Sequence, residues 1–193
     1  MNYNDLHDVD MSEFAASTEG GQGLCTQALV TCVGIAVAVV YASDSLPGEE
    51  RLDKFLAHLD EDDGEEAAES LVQQVEDAKR RGLWNLHVVA CVLNPESLRE
   101  RPEEPVDEET MRQQINFNEQ YIALAARLTN GVRSSTFMVL RHHIYEPRNM
   151  VITRENEIRV DSYDSVPDRA ARRSYRGFPD QVQLSSTTGL ASR

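Results

Sequence analysis

A cysteine inside an apolar run and a histidine beside a string of acids are the two residues whose types fit nucleophilic chemistry. Cys32 lies in TQALVTCVGIAVAVVY, residues 26–41, the most apolar stretch of the chain, and His58 follows 26 residues later in FLAHLDEDD. A thiol nucleophile needs a base or cation to make the thiolate, a group that orients the base, and donors for the developing oxyanion. Cys32 and His58 supply the first pair, each beside a strand-like segment that would hold its side chain rigidly. Spacing alone is weak ground for pairing them, because three cysteines and five histidines offer fifteen combinations. The plain alternatives are a buried packing cysteine and a loop histidine next to acids.

The other candidates read as structural. Cys25 and Cys91 fit buried packing positions, and no CxxC pair suggests zinc. His142 and His143 are adjacent, so on a strand they point to opposite faces and cannot share one ion without a bulge. His87 reads as a packed histidine and Trp84 as a core residue. The acidic run Asp60–Asp63 precedes a helical pattern and suits its N-terminal cap and dipole. No metal and no cofactor is expected.

The elements that must position Cys32 and His58 follow from periodicity. Residues 28–41 are rich in Val and Ile and read as one buried strand, with Gly34 marking a bend or a close backbone approach. RLDKFLAHL fits either a short strand or the end of a turn, after a loop at 42–50. Ala67, Leu71, Val75 and Ala78 share one face of a helix over 65–81, acidic at its start, basic at its end and stopped by Gly82. LWNLHVVACVL, residues 83–93, returns to strand. After a proline-bearing connector, Met111, Ile115, Ile122 and Ala125 mark a second helix over 108–129. STFMVLRHHIY and MVIT, about 135–145 and 150–153, read as a hairpin across EPRN, and EIRV adds a short strand. The fold class is α+β, a layered β-sheet core with both helices outside. The polar start, 1–20, reads as a mobile arm, 21–163 as one domain, and 164–193 as a disordered Ser- and Arg-rich tail.

Composition narrows the function classes. Of 193 residues, 33 are acidic and 19 basic, for a net charge of −14. That balance disfavours nucleic acid and anionic membranes, which demand basic faces. It suits cationic or amine-bearing ligands, and it also serves simple solubility. The odd cysteine count argues against a disulfide framework and for a reducing, cytoplasmic setting. The acidic start is unlike a signal peptide, and the run 28–42 is too short for a membrane span. Nothing in the sequence sets the oligomeric state.

With these elements in place, the segments around Cys32 and His58 resemble two related families of cysteine amidases. The chemotaxis receptor glutamine deamidases (CheD) carry a threonine six residues before the cysteine, then an apolar strand. Here Thr26 stands six before Cys32, and VGIAVAVVY follows. Their histidine sits in an Ala-His-apolar context, matched by Ala57-His58-Leu59. The protein N-terminal asparagine amidohydrolases carry Thr-Cys, matched by Thr31-Cys32, then Leu-x-His-x-Asp-x-x-Asp, matched by Leu56, His58, Asp60 and Asp63. The resemblance covers roughly residues 24–160. The chain departs from the first family at Val30-Thr31, where that family has Gly-Ser, and at Ala90-Cys91, where it has Gly-Gly. It also lacks the proline that usually follows the histidine. These departures fall where substrate would enter.

What the resemblance implies is a deamidase acting on a Gln or Asn side chain of a protein or peptide. Cys32 as thiolate attacks the carboxamide carbon, His58 as imidazolium protonates the departing ammonia, and a thioester is then hydrolysed. Thr26 orients the His58 ring, backbone N–H groups near Cys32 meet the oxyanion, and Thr31 and Asp60 lie at the substrate, Asp60 as anchor for a positive amine. The competing readings are an inactive fold relative that serves as a protein-binding regulatory module, and a plain structural domain.

Overall fold

The computed structural model describes residues 6–42, 51–100, 106–163 and the two-residue strand at 183–184. Its architecture is α+β in three layers: two helices, a six-stranded sheet, and a four-stranded sheet. Apolar side chains on alternate positions of the central strands make this possible. In β4 (Val33–Tyr41), Val33, Ile35, Val37 and Val39 face the helices while Ala36 faces the second sheet. In β6 (Leu83–Leu93), Leu86, Val88, Ala90 and Val92 face the helices while Val89 and Cys91 face the other way. A strand buried on both faces reads as a continuous apolar run, which is why these two segments stand out in the sequence.

The helix-covered sheet has β4 and β6 at its centre, paired antiparallel. Outward from β4 lie β5 (Leu52–Leu59) and then β2 (Phe14–Thr18), both antiparallel. Outward from β6 lie β7 (Ser134–His142), parallel to it, and β10 (Gln183–Leu184). The second sheet runs β1 (Leu6–Asp8), β3 (Gly23–Leu29), β8 (Arg148–Ile152), β9 (Ile158–Ser162). Helix α1 (Gly64–Arg80) buries the expected Ala67, Leu71, Val75 and Ala78. Glu65 and Glu66 sit in its first turn, and Lys79 and Arg80 in its last, both favourable to the dipole. Gly82, at φ 86°, supplies the left-handed turn beyond it.

Four sequence-based expectations change, and one left open between strand and turn resolves as strand. The segment 28–41 is two strands, because the chain bends at 30–32 between β3 and β4. The proposed hairpin is none: β7 belongs to the first sheet and β8 to the second, so residues 143–147 cross between layers. The N-terminal arm, from residue 6 onward, is tied down as β1 along β3 and β2 along β5. The ambiguous RLDKFLAHL is β5. In α2 (Glu108–Leu128) the buried stripe is Met111, Asn118, Tyr121, Ala125 and Leu128, and Ile115 and Ile122 only flank it. Asn118 can be buried because its Nδ2 donates to the Leu93 carbonyl at 2.8 Å. EIRV is indeed a strand, β9. The expected loop beyond Ala42 and the tail, apart from β10, lie outside the described residues. Among the described residues no helix is long and apolar enough to cross a membrane.

Candidate functional site

Three strands meet at one end of the interface between the sheets. β3 carries Thr26, the bend before β4 carries Cys32, and β5 ends just after His58. The register pairs Gly34 with His58 across β4 and β5. Cys32 lies in the bend two residues before Gly34 and packs in the apolar cluster between the two sheets. Its Sγ makes no hydrogen bond with His58 in this structure. Gly34 itself brings no side chain, and Leu29 and Met150 fill that space: a Cβ there would lie 2.7 Å from Leu29 Cδ1 and 3.3 Å from Met150 Sδ.

The expected pairing of Thr26 and His58 is present. Thr26 Oγ1 lies 2.7 Å from His58 Nδ1, and both residues are buried. With Nδ1–H donating to the hydroxyl, Nε2 carries the lone pair. That Nε2 is itself buried without a hydrogen-bond partner, in a residue only 5 % exposed. His58 also lines a cavity of about 310 Å³, together with the segment 8–11 and Gln27 and Ala28. A buried polar atom left unpaired beside a cavity is costly, and a ligand there would relieve the cost.

The wall of the cavity is shaped by a bulge. The β3–β8 register shifts between Thr26 and Leu29, and Ala28 has φ 55°, an uncommon value for a residue with a Cβ. Asn149, fully buried on β8, holds that conformation by accepting from the Ala28 N–H at 3.1 Å. The bend at Cys32 is braced from the other side. Gln114 of α2 donates to the Thr31 carbonyl at 3.1 Å and to Asn118 Oδ1 at 3.1 Å. Val30 packs against the small cluster of Leu93, Leu98, Met111 and Ile144. Neither Gln114, Asn149 nor Met11 was singled out by the sequence. Polar residues drawn from distant elements leave no local pattern, and only the positive φ at Ala28 marks the place.

Electrostatics set the resting state of the pair. Burial pushes the Cys32 thiol up, the charge of Asp60 adds to this, and a hydrogen bond from Thr31 only partly offsets them. Burial pulls His58 down, against the opposing pull of Asp60, Asp10 and Asp8. At neutral pH the site therefore rests as thiol and imidazole, not as the ion pair expected from the resemblance. Cys32 is 9 % exposed, and its Sγ lies 3.8 Å from the Sδ of Met11, which is 59 % exposed. Met11 also lines the cavity, so it is the side chain shared between cavity and thiol.

The remaining candidates fall elsewhere. Asp60 is placed next to the pair but its carboxylate is engaged by the chain: Oδ1 accepts from the Asp63 N–H at 2.8 Å. Burial alone would raise its pKa, but the hydrogen bonds from Asp63 and Ser12 outweigh this and hold it low. Cys25 is buried with Sγ 3.4 Å from Asp8 Oδ1, and Cys91 is fully buried with its pKa pushed up to about 12. His87 meets the Thr136 hydroxyl on the face away from the helices. His142 is buried, while His143 reaches Glu100 at 3.0 Å. Trp84 is not core: it is 45 % exposed, with the Arg133 guanidinium 4.3 Å over its ring. No family model matches the chain, and no curated protein matches it either.

Proposed function

We propose that this chain is a cysteine-dependent amidohydrolase that hydrolyses a side-chain carboxamide of Gln or Asn in a protein or peptide. The observation that carries the reading is the buried Thr26–His58 hydrogen bond of 2.7 Å, which leaves Nε2 unpaired beside a cavity. The resemblance of the Thr26, Thr31-Cys32 and Leu56–Asp63 segments to the deamidases supports it independently. In the reaction, His58 Nε2 takes the thiol proton as Sγ bonds to the carboxamide carbon. The tetrahedral intermediate expels ammonia, which receives that proton from His58. Water, deprotonated by His58, then attacks the thioester, and the carbon–sulfur bond breaks to restore the thiol. The products are a carboxylate and ammonium, and no cofactor takes part.

Burial of the thiol and its raised pKa favour one competing reading, a binding module of the same fold without turnover. Ammonia release from Gln- and Asn-bearing peptides separates the two. Wild type is expected to release ammonia and Cys32→Ala to release none. A thioester trapped by hydroxylamine on wild type would identify Cys32 as the nucleophile. Equal, background-level release from both proteins would favour the binding module.

A further inference from the structure

The cavity beside His58 is lined by acids that have no cationic partner among the described residues. Asp8 and Asp10 both line it. Gln27 Nε2 donates to both oxygens of Asp8, at 3.2 and 3.1 Å. That fixes the carboxylate in place, but a neutral amide does not cancel its charge. Asp10 is exposed, and among the described residues no Lys, Arg or His forms an ion pair with either acid. Val9, Met11 and Ala28 line the same cavity and give it an apolar wall. The combination of an aliphatic wall, the held Asp8 carboxylate and the exposed Asp10 matches a long side chain with an apolar stem and a cationic tip. At about 310 Å³ the cavity falls in the range of sites that enclose a small ligand, about 300–1,000 Å³. The unpaired His58 Nε2 on the same wall is the second sign that a ligand belongs there.

Resting on the amidase reading, we propose that the substrate presents a lysine or arginine next to the carboxamide residue, and that Asp10 and Asp8 receive its cation. Asp60, the acid that the sequence offered as anchor, is not among the residues that line this cavity, and its Oδ1 serves the turn before α1. The proposal also bears on activation. Asp60 opposes negative charge on the Cys32 sulfur, and Asp10 and Asp8 act on His58. A bound cation offsets them, so a basic substrate helps to assemble the electrostatics that its own hydrolysis needs.

The experiment uses the full chain and matched peptides, N-acetylated and C-amidated, in which Gln or Asn is flanked by lysine, norleucine or glutamate. Ammonia release is expected to favour lysine over norleucine by about tenfold or more in kcat/KM, with glutamate lowest. In Asp10→Asn, the lysine-to-norleucine ratio is expected to fall towards one. A second readout needs no turnover. Alkylation of Cys32 by 2-bromoethylamine, scaled to a free cysteine peptide, is expected to outpace iodoacetamide and far outpace iodoacetate, and Asp10→Asn narrows that spread. Equal turnover of the lysine and norleucine peptides by wild type overturns the inference and leaves the amidase reading standing. An unblocked norleucine peptide that matches the acetylated lysine peptide overturns it too, by assigning the cation to a chain terminus. No ammonia from any peptide overturns the amidase reading and the substrate claim with it.

Discussion

His58 can act as a base only if its ring is held and its Nε2 kept unprotonated. Thr26 supplies the first condition through Nδ1, and burial supplies the second. Thr26→Val keeps the side-chain shape and removes the acceptor. It is expected to cost about 1 kcal/mol of stability and to lower kcat by roughly one to two orders of magnitude, a part of what general-base catalysis supplies. KM should change little, and Thr26→Ser should restore most of the rate, which a purely structural role would not produce. Met11 makes a separate case. Its side chain stands at the thiol and is mostly exposed, so trimming it costs little stability. Met11→Ala is expected to speed iodoacetamide alkylation of Cys32 severalfold. Cys91, with no exposure, stays unreacted in the folded protein. An unchanged alkylation rate in Met11→Ala would show that access is limited elsewhere. The Thr26–His58 hydrogen bond was legible because a motif spacing marks both residues. Met11 was not, because a methionine between an aspartate and a serine carries no pattern that points to a thiol 21 residues away.

At the scale of elements, the site depends on three features that override local propensity. The bend at 30–32 falls on Val30, Thr31 and Cys32, none of them a Gly, Pro or Asn that would announce a turn. Tertiary contacts impose it: Gln114 on the Thr31 carbonyl and Val30 in its small apolar cluster. The bulge at Gln27–Ala28 is likewise held from outside, by Asn149. The assignment of β7 and β8 to different sheets is invisible to periodicity, because alternation says which face is apolar and not which neighbour it meets. Gly34, by contrast, announced a close approach, and the structure identifies what approaches. Gly34→Ala would place a Cβ 2.7 Å from Leu29 Cδ1 in a packed core. Overpacking of this kind costs about 1–3 kcal/mol. Leu29→Ala alone leaves a cavity and costs roughly 2–5 kcal/mol. The double variant is expected to lose clearly less than the sum of the two, since the new methyl occupies part of the vacated space. Urea unfolding of all four proteins measures the coupling, and strict additivity would mean that the two side chains do not compete.

For the molecule as a whole, the net charge of −14 favours encounter with cationic partners and suggests a protein that tolerates mild acid, since protonating carboxylates relieves their mutual repulsion. The buried histidines act in the opposite direction. Burial pulls His142 down to about 4, and the neighbouring Arg148 and His143 add to the cost of a second positive charge there, against a hydrogen bond to the His143 carbonyl. Its Nε2 has no partner, so the neutral ring is the form that the fold accommodates. His58 is shifted in the same direction. A histidine whose folded pKa lies below its unfolded value stabilises the fold above the unfolded pKa, and that contribution is lost as pH falls. For His142 the window runs from 6.5 down to about 4, and the loss amounts to about 2 kcal/mol by pH 5. Urea unfolding at pH 7.5, 6.5, 5.5 and 5.0 is expected to show stability falling with pH in wild type. His142→Asn keeps a donor near the His143 carbonyl and removes the titration. It is expected to be less stable at pH 7.5 but to have a shallower slope, so that the two curves converge towards pH 5. Parallel curves would mean that His142 takes up its proton in the folded protein at an ordinary pH, and the acid sensitivity would then come from His58 or His87, whose pKa burial also lowers.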